Sequence, residues 1–500
     1  MRAAHIVTLF IAICFTNALR SQVYPGEGAQ LYSRIIGFSV PAQNYAVKYR
    51  LEVAAGNYTD EQSFIKNRFI SRYSTKPQIL AELPAFGRQY TWRATFIAKD
   101  SAQTKTILYH FATKLTIDID STVTRLRITK AAEKYKDDYV FVDGTRSLYD
   151  MKGRPVWVLP GSDNDNSKEA YPRDLRVTPQ GTITFVTGYQ VYEINYNGKV
   201  LWHTAGNTRV LNTGSFHHEF SRLSNGNYMG MTQDLVQVKL PAYKDKTARN
   251  KSDSDKYYRT VQSNVLVEYD PNYNIVWDWH STDYLQNSDL ADMKGIDSFP
   301  SSTDTHENSF YFDEKKKTIL LSFRNVDRII KIRYPEGTTL AEYGPAYTHG
   351  VKQAWDELFC GQHKCAYTKK GYISLYNNNT CGKTHVPTVL LLEETGKNKL
   401  KKVWEFEVPV DGLDTMDKDK LSFLAGGGVI ELPGEELLVT VSNPSNQVFI
   451  VNTNKKILWR AIPEKYDAAS KKWQLPNGLF HASLVSRKEL ETLIWNAQKK

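Results

Sequence analysis

The sequence predicts an all-β protein, a six-bladed β-propeller preceded by a small N-terminal β-sandwich. Two observations carry that expectation. The chain of 500 residues is 12% aromatic, with 30 tyrosines and 10 tryptophans, and its apolar segments are short and rich in Val, Ile, Thr and Tyr, as strands are. From about Tyr139 a unit recurs that closes on an apolar strand carrying tryptophan. No long amphipathic helix is evident.

Residues 1–21 read as a signal peptide: Arg2, an apolar run from Ile6 to Phe15, then Thr16 and Ala18 before a cleavage point. That run is too short to span a bilayer, so the mature chain is expected to be secreted or periplasmic, with no membrane span. Residues 22–114 carry alternating segments such as YAVKYRLEVA and QYTWRATFIA, about seven short strands that suit a sandwich with Trp92 in its core. Residues 115–136, ending in KAAEKYKDD, read as a linker. Residues 137–500 hold the repeat, whose closing aromatic residues are Trp157, Trp202, Trp277, Tyr343, Trp404 and Trp459. A unit of this size with three or four strands cannot bury its faces without neighbours, which is the mark of a propeller blade. The first unit lacks an inner strand, and Leu479 to Ser486 is expected to supply it and close the ring. Polar insertions, Lys239 to Tyr258 and Ser281 to Thr303, interrupt the repeat and are expected on one rim.

The formal charge is +10, but the excess is spread over turns, and without a basic helix or an RNA-binding aromatic motif a nucleic-acid partner is not expected. Cys14 leaves with the signal peptide, and Cys360, Cys365 and Cys381 remain. Cys360 and Cys365 bracket CGQHKC and are expected to pair, stiffening the loop that carries His363; the alternative is two unpaired thiols. Sequons at Asn57, Asn250 and Asn378 are glycan acceptors if the chain passes through a eukaryotic secretory pathway.

Aligned on their tryptophan strands, the units begin their innermost strands at FHHEF, THENS, GQHKC and GGGVIE. Three of them carry histidine at one offset, His218, His306 and His363, and strand starts of that kind converge on a propeller axis. His217 stands beside the first. Arg324 follows His306 by 18 residues across one hairpin and offers a planar fork of donors for an oxyanion. Asn308 is expected to share a strand face with His306. Imidazoles, an amide and a guanidinium without paired carboxylates describe an anion pocket, not a glycosidase. His203, His280 and His349 carry no such pattern and read as surface or packing residues.

These motifs in this order, the HH pair with LSNGN, H-x-NS with the arginine of LLSFRN, and GQH with YISLYNNN, resemble the PAPS-independent arylsulfate sulfotransferases. The resemblance spans about Tyr139 to Ser486. It implies an exported enzyme that needs no cofactor and moves a sulfuryl group from a small-molecule aryl sulfate donor to a phenolic acceptor. It also implies His363 as the nucleophile of a ping-pong reaction through a sulfohistidine, with His218, His306, Asn308 and Arg324 holding the sulfuryl oxygens and His218 or His306 as the acid. His217 would help bind substrate, and a homodimer is permitted. Two places depart from the family: Asp304-Thr305 stands where many members have Asp-Trp, and Lys364-Cys365 follows GQH where they have an acidic residue.

Two other readings compete. Three convergent histidines also suit a zinc hydrolase, although Arg324 beside the cation is unfavourable and no metal is expected. A propeller that binds sulfated ligands without catalysis is the second.

Overall fold

The computed structural model describes residues 23–114, 124–160, 172–187, 190–204, 216–239, 258–285, 302–348, 351–382, 384–410, 426–467, 469–474 and 479–499. The expected signal peptide, most of both insertions, Asn250 and His349 lie outside the described residues. The protein is all-β, and contacts divide it into two units, one running to Leu31 and over Ile35–Thr113, the other comprising Tyr32–Arg34 and Lys114–Lys500. Among the described residues no helix is long and apolar enough to cross a membrane.

The first unit holds a six-stranded sheet and the two-stranded pair Ile35–Ser39 with Gln78–Glu82. Its core lies between them, where Phe38 of the pair meets Trp92 of the larger sheet edge-on at 5.1 Å. The indole satisfies its one donor on the carbonyl of Pro25 at 3.1 Å.

The second unit holds, among the described residues, six sheets of four or more strands, antiparallel except where Ser302–Asp304 pairs parallel to Tyr258–Tyr269. Five run in chain order from inner to outer strand, beginning with Arg173–Val177, His217–Arg222, Glu307–Asp313, His363–Tyr367 and Gly428–Glu431. The remaining sheet takes Ala482–Val485 from the C-terminal end, paired to Tyr139–Val142, with Ser147–Asp150 and Pro155–Val158 outside it. The first repeat unit therefore gains its missing strand from the end of the chain.

The closing aromatics all fall on fourth strands, and each reaches the sheet that follows. Trp157, Trp277 and Trp404 donate to the carbonyls of Tyr196, Pro335 and Thr453 at 2.7, 2.6 and 2.8 Å. Those acceptors sit in the turn between third and fourth strands of the next sheet. Trp202 stacks on Tyr273 of the same turn at 5.4 Å, and the Tyr343 hydroxyl meets Glu394. Trp459, on the last sheet, donates to Met151 of the first at 3.2 Å. Apolar residues of those two sheets share one core, including Val140, Tyr149, Leu438 and Trp459.

Part of the expected linker is a strand. Thr124–Lys130 adds antiparallel to the outer strand Ile457–Asp467, because TRLRITK alternates: Leu126 is buried, while Arg125 and Arg127 point out to Glu464 at 2.8 and 2.6 Å. A run of charge conceals a period of two. The last element, Arg487–Asn496, is a short helix begun by a capping box on Ser486 and buried through Leu490, Leu493 and Ile494.

Candidate active site

Four of the six inner strands depart from regular pairing at their starts. Asp174, His218, His306 and Lys364 all have left-handed backbone, with φ of 58°, 58°, 52° and 53°, a conformation that costs L-residues energy and collects at functional sites. The sequence predicts His218, His306 and His363 at one equivalent position. The structure brings them together but not in one register. His218 and His306 are themselves left-handed, whereas His363 precedes its left-handed residue, Lys364, and corresponds to His217. The bulges that follow shift the strands differently. The rings nevertheless form a row: His218 lies 5.2 Å from His306, and His306 lies 6.4 Å from His363.

His363 is fixed by its neighbours. Its Nδ1 faces the Gly361 carbonyl at 3.1 Å and Asn378 Oδ1 at 2.7 Å. Asn378 cannot turn over without loss, since its Nδ2 donates to the Gly426 carbonyl at 3.1 Å. Two oxygens around Nδ1 require the proton there, so Nε2 carries the lone pair and accepts the Gly426 N–H at 3.2 Å. Burial, followed by the charges of His306 and Arg324, pushes the imidazole well below its ordinary pKa and leaves it neutral at pH 7. Only glycine serves beside that N–H: Gly427 has φ of 95°, and a Cβ there would lie 2.4 Å from the Tyr376 ring.

The Cys360–Cys365 disulfide expected from the sequence is not formed. Cys360 pairs with Cys381, 21 residues on, and Cys365 is a buried free thiol near Ser309 Oγ at 3.7 Å. Strand alternation turns the Cys365 side chain toward the neighbouring sheet, whereas Cys360 sits on the loop facing the Asn377–Cys381 turn. The disulfide thus joins the segment presenting His363 to the segment presenting Asn378. Asn378 is only 1% exposed, so its sequon belongs to the site and takes no glycan.

Asn308 holds the same segment from the other side, its Nδ2 donating to the Gln362 carbonyl at 2.7 Å, while its Oδ1 is buried without a partner among the described residues. Arg324 opens the turn after the second strand, and its backbone N–H donates to the His306 carbonyl at 3.0 Å, which returns it to the histidine end of the hairpin. His217 and His218 share a hydrogen bond between Nδ1 atoms at 2.8 Å. Burial above all, then the charges of His217 and His306, lowers the His218 pKa well below the usual histidine range. Sequence reasoning expected an imidazolium acid at His218 or His306; the His218 environment favours the neutral ring, a base. His203 stacks on Tyr192 at 5.7 Å and His280 pairs with Asp278 at 2.7 Å, both away from the row.

Other participants were missed. Phe480, just before the C-terminal strand, packs against His218 at 5.2 Å and His363 at 6.3 Å; the only signal was the expectation that Leu479 to Ser486 supplies the first unit's missing strand. Beneath the histidines lies a charge cluster. Lys364 Nζ meets Glu219 at 2.5 Å and Asp174 at 4.0 Å, and Asp174 also holds Arg176 Nε at 2.7 Å and His481 Nδ1 at 3.1 Å. Burial pushes the Asp174 carboxyl up, but Arg176, Lys364 and His481 outweigh it and keep it ionised. Lys364, a departure from the family pattern, thereby neutralises carboxylates supplied by other strands. Glu307 is the opposite case: fully buried, with both oxygens unpartnered among the described residues, it is pushed well above the carboxylate range by burial and then by Glu219. Among the described residues no group of three His, Cys, Asp or Glu is arranged to hold a metal ion.

No curated protein matches the chain. Similar solved structures include a protein of unknown function from Bacteroides caccae, 11% identical over 73% of this chain and 99% of that one, TM-score 0.38. The β-propeller domain of Cps50 (Swd1) from Myceliophteria thermophila is 10% identical over 59% of this chain and 87% of that one, TM-score 0.31. The arylsulfotransferase (ASST) family model matches residues 124–408, more than half of the chain and all of the segment that carries His217, His218, His306, Asn308, Arg324 and His363. The protein belongs to the arylsulfotransferase (ASST) family of sulfotransferase enzymes.

Proposed function

We propose that the protein moves a sulfuryl group from an aryl sulfate to a phenolic acceptor, without PAPS, in a ping-pong reaction through a sulfohistidine on His363. The observation that carries this reading is the locked imidazole: Nδ1 lies between two oxygen acceptors at 2.7 and 3.1 Å, and Nε2 is a neutral nitrogen whose lone pair, held by the Gly426 N–H at 3.2 Å, turns to sulfur as that N–H passes to a sulfuryl oxygen of the bound donor. In the first half-reaction Nε2 bonds to sulfur and the S–O bond breaks, its electron pair leaving on the phenolate. Nδ1 keeps its proton, so the positive charge of the sulfo-imidazolium is held against Asn378 Oδ1. Arg324, His306, the remaining donor of Asn308 and the Gly426 N–H stabilise the sulfuryl oxygens as charge shifts among them. In the second half-reaction His218, neutral in its buried setting, takes the proton of the incoming phenol as its oxygen bonds to sulfur and the N–S bond breaks. That proton finally balances the first phenolate.

The six sheets of the second unit are read as blades of one closed propeller spanning 137–500, preceded by a β-sandwich over 22–114. Closure is supported by Trp459, which repeats on Met151 the contact that earlier tryptophans make with following sheets. The disulfide supports export into an oxidising compartment behind the N-terminal signal segment.

The test is intact-mass measurement after mixing with an aryl sulfate. A gain of one sulfuryl group on the wild type, absent in His363→Ala, is expected. No gain with any donor would favour a binding protein.

A further inference from the structure

Three inner strands open with the same backbone pattern. Arg173, His217 and His363 are each the first paired residue, opposite Val186, Met231 and Tyr376, and pairing resumes after a bulge at Arg176, Phe220 and Ala366. Between them stand the left-handed Asp174, His218 and Lys364. Arg173 is therefore the counterpart, in another sheet, of the proposed nucleophile, and no role follows for it from the transfer itself.

Arg173 differs from its counterparts in being exposed. Its guanidinium lies 5.1 Å from the Phe480 ring centroid, on the ring that also packs against His218 and His363. Among the described residues its side chain makes no ion pair. The carboxylates beneath the histidines are engaged elsewhere, Asp174 by Arg176 and His481, and Glu219 by Lys364 at 2.5 Å. Arg324 stands near His363, close enough for its charge to depress that ring. The pocket thus has two guanidiniums and one sulfuryl group to hold.

Resting on the transfer reaction above, we infer that Arg173 binds a second anion and selects aryl substrates bearing a further carboxylate or sulfate remote from the reacting oxygen. A guanidinium pairs bidentately with either group, and its stacking on Phe480 holds the fork in place while that ring offers a face to the aryl group.

The experiment compares two acceptors of similar size, 4-hydroxybenzoate and the neutral 4-hydroxybenzyl alcohol, with 4-nitrophenyl sulfate as donor, in the wild type, Arg173→Met and Arg173→Lys. Binding of each acceptor is followed in parallel by calorimetry. The wild type is expected to favour the benzoate in kcat/KM by about tenfold or more, with Arg173→Met removing most of that preference and Arg173→Lys falling between. A ratio unchanged in Arg173→Met, or an equal loss on both acceptors as a purely structural arginine would give, overturns the inference. Transfer without an Arg173-dependent preference sinks this inference alone. An Arg173-dependent binding preference without any transfer sinks the proposed function and leaves the anion site standing.

Discussion

Asn378 Oδ1 lies 2.7 Å from Nδ1 of His363, and the opposite end of the same amide is anchored on the Gly426 carbonyl. One side chain thus decides which nitrogen of the histidine carries the proton. Asn378→Ala is expected to lower kcat on the order of 10²-fold, as loss of a partner that orients a histidine does, with a much smaller change in KM, because the Gly361 carbonyl still faces Nδ1. A variant that keeps wild-type kcat would show that the hydrogen bond is incidental.

The same pair sets the pH dependence. Burial depresses the His363 pKa, so the ring is unprotonated at neutrality, and the acidic limb of kcat/KM for the donor should lie below the ordinary histidine pKa of about 6.5. Asn378→Asp places a carboxylate against Nδ1, which favours imidazolium and should move that limb upward. A limb that stays put or moves down in Asn378→Asp would contradict the assignment.

Cysteine pairing is checked by peptide mapping without reduction. Cys360 and Cys381 should appear linked, and Cys365 should alkylate only after unfolding. Cys381→Ser opens a loop of 21 residues, and the expected loss is about 3 kcal/mol, seen in denaturant melts. Because the bond joins the His363 and Asn378 segments, kcat should fall as well.

Glu307 provides a stability test with a definite sign. Its folded-state pKa is raised by burial, so the native state keeps a proton that the unfolded state releases above about pH 4.5, and its contribution is lost as pH rises from there toward the folded pKa. Glu307→Gln removes that linkage. The variant's Tm should gain on the wild type between pH 5 and 8, and a gap that stays constant with pH would refute the buried neutral acid.

Ring closure is tested by truncation. A chain ending at residue 475 loses Ala482–Val485, the inner strand of the first sheet, together with Phe480. It is expected to lose its cooperative melt, and an unchanged melt would argue against closure.

The all-β class and its recurring four-stranded sheets were legible because each closing tryptophan marks the same structural place, a fourth strand whose ring reaches the next turn. Thr124–Lys130 was not legible, since its alternating arginines resemble a linker until Glu464 faces them. His218, His306 and His363 were found by residue type, but the bulges that set their registers leave no trace in sequence spacing. The disulfide was misassigned because chain proximity favoured Cys365, whereas strand alternation turns that thiol away from Cys360. Asn378 was visible only as part of an Asn-rich turn, and Glu307, Glu219 and Lys364 acquire meaning only when separate strands meet.

The central claim, covalent catalysis by His363, is tested most directly by mixing the protein with excess 4-nitrophenyl sulfate, quenching under alkaline conditions and locating the added group by tandem mass spectrometry. The account predicts one sulfuryl group per chain, on His363, formed with release of one equivalent of nitrophenolate and discharged when a phenol is added. Sulfuryl transfer proceeding in His363→Ala at the wild-type rate, or the group residing on another residue, would contradict it.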